Sequence, residues 1–265
     1  MALEILRVPG HGPPRRVGIV LVHGIFVGAW VWEAHFLPYL AAAGYDVYAV
    51  SLRGHGASCG RDRIESLTLD DYTADLLSAA SAARGPVVAV GHSMGGAVVQ
   101  NAIRQGARFA GAALLASVPP CGLMRASIAM MWSEPRLWRE ISAMFVWGPR
   151  AADRHVLREG LFSNRIDELA FARFAARVGK ESSVIGVELQ GLKPFAPLPW
   201  QAPPMLVAGG SDDRFIRKED LWVTAAWYGV DTVILPGLSH SLMLDPDWKL
   251  AANTLLTWLD RFELR

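Results

Sequence analysis

A chain of 265 residues, 52% of them hydrophobic, is long enough to bury a substantial core. Its formal net charge of +1 gives no electrostatic reason to expect a nucleic acid or an acidic membrane surface as partner. No stretch approaches the roughly 20 consecutive apolar residues of a membrane span. Only Cys59 and Cys121 are present, without CxxC spacing, and the first residues lack a charged leader followed by an apolar run. Reduced thiols and a cytoplasmic location are the expectation.

In chain order, Leu3 to Val8, Val17 to Val22 and Asp46 to Ser51 read as strands, and Trp32 to Ala43 bridges the latter two as a helix. The second strand runs into His23-Gly24-Ile25-Phe26, a loop able to offer the backbone N–H of Ile25. Leu69 to Ala83 has helical spacing. Val87 to Val90 is a further strand, and it enters Gly91-His92-Ser93-Met94-Gly95-Gly96 just ahead of a helix-compatible segment, Ala97 to Gln105. A G-x-S-x-G turn between strand and helix is the context of a nucleophile elbow: small flanking residues tolerate the strained bend that lifts the serine Oγ clear of the sheet. The following helix aims its free N–H groups and positive dipole end at the same spot. The amides of Ile25 and Met94 would together form an oxyanion hole.

Ala112 to Ala116 is the next strand, leading into Ser117-Val118-Pro119, which has no carboxylate. From Val118 to Trp200 the βα alternation stops and several helices are predicted, broken at Glu134-Pro135, Gly148-Pro149 and Lys193-Pro194. Within this region Met124, Met130, Met131 and Met144 crowd Trp132, Trp138, Phe145 and Trp147 in sequence. Thioethers and aromatics suit an adaptable apolar pocket, with Met131 and Trp138 as candidate substrate-binding residues; packing between helices is the plainer role for any one of them. Pro204 to Ala208 then forms a strand ending in Gly209-Gly210-Ser211-Asp212-Asp213-Arg214-Phe215-Ile216. Thr232 to Leu235 precedes Pro236-Gly237-Leu238-Ser239-His240. A carboxylate at a strand end can orient a histidine, so the candidate constellation is Ser93, then Asp212 or Asp213, then His240. Right-handed crossovers make the sheet doubly wound and mostly parallel, an α/β class fold with ligands at the carboxyl ends of its strands.

Along nearly its whole length the chain resembles the α/β-hydrolase superfamily, in HGIF at 23–26, RGHGAS at 53–58, GHSMGG at 91–96, GGSDDRFI at 209–216 and GLSHSLMLDPDW at 237–248. The order serine, acid, histidine is that of this family. Gly28-Ala29-Trp30 and Trp32 further resemble its branch of small-molecule esterases and hydroxynitrile lyases. The resemblance implies a hydrolase core at 1–117 and 201–265 with a helical cap inserted at 118–200. Its opening antiparallel pair is expected to be abbreviated, because about sixteen residues precede the HGIF strand. Family members follow the acid with any residue and then an apolar one, which favours Asp213, ahead of Arg214-Phe215, over Asp212.

What the resemblance implies for chemistry is attack by Ser93 on a carbonyl, with His240 as base, Asp213 as its orienting acid, and an acyl-enzyme resolved by water. A carboxylic ester of a small apolar substrate is the expected partner. Thioesterase, carbon–carbon bond hydrolase and cofactor-independent haloperoxidase or perhydrolase activities share the same three residues, and a ligand receptor on a hydrolase fold is the non-enzymatic alternative. Epoxide hydrolases and haloalkane dehalogenases carry an aspartate at the elbow, where this chain has Ser93. Plant hydroxynitrile lyases carry a lysine after the histidine, where this chain has Ser241. His23 is expected to shape the oxyanion loop through backbone hydrogen bonds, His92 to be a spacer, and His55 to be structural. No metal and no cofactor are expected, since metal-ligand spacing, a phosphate loop and a dinucleotide fingerprint are all missing from the sequence. The oligomeric state is left open.

Overall fold

The computed structural model describes residues 2–263. Seven strands form one sheet: β1 (Ile5–Val8), β2 (Gly18–Val22), β3 (Val47–Val50), β4 (Val87–His92), β5 (Gly111–Leu115), β6 (Met205–Gly210) and β7 (Thr232–Leu235). Their order across the sheet is β1-β3-β2-β4-β5-β6-β7. Every neighbouring pair is parallel except the edge strand β1, which runs antiparallel to β3 with Ile5 opposite Val50. Among the described residues, β1 is thus the one antiparallel strand, at the edge of the sheet.

The central strands GIVLV, VVAVGH, GAALL and MLVAGG are buried at every position. Continuous apolar runs of this kind require cover on both faces, which parallel crossovers supply. Alternate side chains accordingly feed two cores. Ile19, Leu21, Val88 and Val90 pack with helices α1 (Phe36–Ala42) and α10 (Trp248–Leu259). Val20, Val22 and Ala89 pack with α2 (Leu69–Ala82), α3 (Met94–Arg104) and α9 (Lys218–Tyr228) on the other face.

The helix expected over Trp32 to Ala43 is shorter than its apolar pattern suggests. Ala29–Trp32 forms a separate 3-10 turn and α1 begins only at Phe36. Pro38 explains the boundary: without an N–H it fits only within the first turn, where the amide would have no intrahelical acceptor.

Between β5 and β6 the chain inserts α4 (Met124–Ser133), α5 (Pro135–Trp147), α6 (Arg154–Leu161), α7 (Glu168–Arg177) and α8 (Ser183–Glu188). The breaks follow local chemistry. Pro135 opens α5 at its first position, and Gly148 closes it with a φ of 84° that a side chain would oppose. Asp153, Asp167 and Ser182 cap α6, α7 and α8, each accepting a backbone N–H of the first turn.

Candidate active site

Ser93 lies between the end of β4 and the first residue of α3, with φ 53° and ψ −118°. A positive φ is costly for a residue with a Cβ, and the surroundings must hold it. They do so by close approach. A Cβ on Gly91 would run into the Gly95 carbonyl, and one on Gly95 would meet the Val22 carbonyl and come within 2.7 Å of that of His23. Strand, turn and helix can therefore sit against each other only because these positions carry no side chain. The result leaves Ser93 7% exposed at the carboxyl edge of the central strands.

Two loops converge on it. His240 Nε2 lies 3.1 Å from Ser93 Oγ, and His240 Nδ1 lies 2.9 Å from Asp213 Oδ2. The second oxygen of Asp213 accepts the amides of Phe215 at 2.8 Å and Ile216 at 2.9 Å, so the carboxylate is fixed by its own turn. Asp212 points elsewhere: it is exposed and pairs with the Ser211 hydroxyl. The geometry brings Asp213, not Asp212, to the histidine. The His240 loop is itself tied to α6, through Ser239 Oγ and Ser241 N donating to the Leu161 carbonyl at 3.0 and 2.9 Å.

Two further histidines, His23 and His92, are neutral supports. Burial drives the pKa of His23 down to about 3, so its Nε2 accepts the Leu52 amide at 3.0 Å while Nδ1–H donates to the Gly24 carbonyl at 2.7 Å. This matches the loop-shaping part expected from sequence. His92 is more than a spacer. Burial holds it well below the usual imidazole range, and its Nε2–H donates to the His240 carbonyl at 2.9 Å, buttressing the loop that carries that ring. His55 is engaged with Glu181, a partner the sequence did not reveal.

Ser93 and His240 line a cavity of about 770 Å³. Gly24 and Ile25 border it from the loop after β2, and Met94, as the first residue of α3, contributes a free amide beside Ser93 while its side chain is buried in the core. The remaining walls are mostly apolar and come largely from the inserted helices, including Met130, Trp138, Ile141, Met144 and Phe145. Trp138 lines the cavity. Met131 does not: it is exposed, and its neighbour Met130 faces the cavity instead. Met130 and Met131 point about 100° apart around α4, and of the two it is Met130 that lines the cavity. Met124, Trp132 and Trp147 of the same cluster also lie on the outer surface.

No group of three or more His, Cys, Asp or Glu among the described residues is arranged to hold a metal ion. No helix among them is long and apolar enough to cross a membrane.

Residues 19–252 match the model of the alpha/beta hydrolase family, and the chain belongs to that family. It is 30% identical to a monoacylglycerol lipase of Mycolicibacterium smegmatis, over 93% of this chain and 88% of the lipase. It is 41% identical to epoxide hydrolase A of Mycobacterium tuberculosis over 100 residues, which span 37% of this chain and 30% of that enzyme. Among solved structures, an esterase from Thermogutta terrifontis superposes with a TM-score of 0.75 at 20% identity, covering 98% of this chain and 94% of the esterase.

Proposed function

We propose that the protein is a serine hydrolase that cleaves carboxylic esters of small, apolar substrates. The observation that carries this reading is the hydrogen-bonded chain Ser93–His240–Asp213 at the wall of a cavity lined mainly by apolar side chains. In this reading Ser93 Oγ attacks the ester carbonyl carbon as His240 Nε2 takes its proton, and Asp213 keeps the other ring nitrogen protonated and favours the imidazolium. The amides of Ile25 and Met94 stabilise the oxyanion of the tetrahedral intermediate, aided by the positive end of α3. Collapse breaks the bond to the alcohol, which leaves with the proton from His240. The acyl-enzyme is then hydrolysed by a water that the same histidine deprotonates.

The mycolicibacterial relative, a monoacylglycerol lipase matched over 88% of its length, supports an ester as the bond cleaved. Ser93 at the elbow separates the chain from epoxide opening by an aspartate nucleophile. The inserted helices serve as a cap over Ser93 and set the apolar character of the acyl group, with Trp138 contacting substrate and Met131 outside the pocket. Thioesters present the same acyl group and fit the same machinery. The test is turnover of p-nitrophenyl butyrate: wild type hydrolyses it, and Ser93→Ala, while still folded, loses at least about 10³-fold in kcat. Equal turnover by both would remove Ser93 from the reaction.

A further inference from the structure

Phe26, next to the proposed oxyanion donor Ile25, has φ 64°, a left-handed backbone that a bulky residue adopts only under constraint. Both of its backbone polar groups are held by one segment of the inserted region. Its carbonyl accepts from Gly179 N at 2.8 Å and its amide donates to Glu181 Oε2 at 3.2 Å. The Glu181 side chain is fully buried. It is anchored in turn by three further donors: His55 Nε2 at 3.1 Å on the same oxygen, and Tyr72 Oη at 2.6 Å and Ser182 N at 2.8 Å on the other.

A buried carboxylate with four donors is a rigid object. The His55 ring faces an acceptor on each side, the Arg53 carbonyl at Nδ1 and Glu181 at Nε2, so both nitrogens must carry hydrogen and the ring is an imidazolium. Burial opposes that charge, but Glu181 outweighs it and raises the His55 pKa, while His55 and the other donors lower that of Glu181. A charged pair in the interior costs desolvation, and packing alone would be served as well by apolar side chains. What an apolar pair could not do is accept the Phe26 amide.

We propose that Glu181 is a positioning residue of the catalytic site, holding Phe26 in its left-handed conformation so that the adjacent Ile25 amide points at the oxyanion. This rests on the serine hydrolase reading above. The carboxylate comes from the inserted region, between α7 and α8, so the oxyanion hole is complete only when that region is seated on the core.

The experiment compares wild type, Glu181→Gln and Tyr72→Phe. Active enzyme is counted by titration, so that loss of folded protein is not read as loss of rate. In Glu181→Gln, kcat for p-nitrophenyl butyrate falls about 10- to 100-fold, less than loss of a whole oxyanion donor, while KM changes by no more than about twofold. Affinity for butylboronic acid, whose tetrahedral adduct on Ser93 places an oxygen in the oxyanion hole, falls by the same factor. Affinity for butyrate does not. Tyr72→Phe removes one of the four donors without touching the loop, and gives a smaller loss of the same kind if the glutamine variant fails to fold. A purely structural Glu181 would lower the melting temperature and leave kcat per active site and boronic acid affinity unchanged, which overturns the proposal. A wild type that neither cleaves the ester nor binds the boronic acid overturns the hydrolase reading, and this proposal with it.

Discussion

His240 Nε2 lies 3.1 Å from Ser93 Oγ although 147 residues separate the two, and the same ring is held from behind by Asp213 at 2.9 Å. The distances are those of working hydrogen bonds, and all three side chains are buried. A histidine so placed can exchange protons with only one hydroxyl, and its tautomer is fixed by the carboxylate. The consequences for variants are specific.

Asp213→Asn keeps the shape of the acid and removes its charge, and its amide group can present an N–H where the histidine needs an acceptor. The expected outcome is a fall in kcat of about 10³- to 10⁴-fold with the fold retained. Asp212→Asn alters an exposed side chain bonded only to its neighbour Ser211, and kcat should stay within a few-fold of wild type. Steady-state kinetics of the two variants check the assignment, and the reverse ranking would assign the acid to Asp212.

The apolar cavity makes chain length the natural variable. Each CH₂ newly buried at Ser93 lowers the transition-state free energy by about 0.8 kcal/mol at most, close to fourfold in kcat/KM, until the cavity is full. The series of p-nitrophenyl esters from acetate upward should therefore climb over the next few members. Trp138→Ser, on the cavity wall, should flatten the climb, and Met131→Ser, on the outer surface, should leave it intact. A profile that falls steadily from acetate would mean that these helices do not recognise substrate.

The His55–Glu181 pair gives stability a defined pH dependence. The His55 pKa is raised above its ordinary 6.5, so its contribution is complete below that pH and is lost as pH climbs through the raised value. The Glu181 pKa is lowered below its ordinary 4.5, so its contribution is complete above that pH and is lost as pH falls through the lowered value. The pair thus stabilises most between 4.5 and 6.5. Around these two groups stand the Tyr72 hydroxyl, the amides of Phe26 and Ser182, the Arg53 carbonyl and the neutral ring of His23, 5.1 Å from that of His55. Removing one partner of a buried pair costs about 3–5 kcal/mol. Melting curves should show the gap between wild type and Glu181→Gln widest in that window and narrowing toward alkaline pH. A gap constant from about pH 5 to 9 would contradict the ion pair.

The parts of the site legible in the sequence are those whose constraints are local. Gly91, Gly95 and Gly96 around Ser93 mark a turn that only small residues allow, and Asp213 is distinguished from Asp212 by the apolar residue two positions on, Phe215. The strands could be read from their unbroken apolar runs, and the mostly parallel, doubly wound sheet followed from right-handed crossovers. The phase of α4 could not. Met124, Ile128, Met131 and Trp132 are exposed while Ala126 and Met130 are buried, so apolar residues occupy both faces and the pattern has no inward side to point to. Glu181 was equally hidden, because its meaning lies in Phe26, His55 and Tyr72, all more than 100 positions away. Nothing in its own surroundings, Lys180 and Ser182, signals a buried carboxylate.

The central claim is that Ser93 is a covalent nucleophile activated by His240. Incubation with a fluorophosphonate followed by peptide mass spectrometry tests it without assuming any substrate. Labelling should be stoichiometric at Ser93 alone, abolished in Ser93→Ala and slowed by orders of magnitude in His240→Ala. Labelling at another residue, or an unlabelled wild type that still cleaves esters, would contradict it.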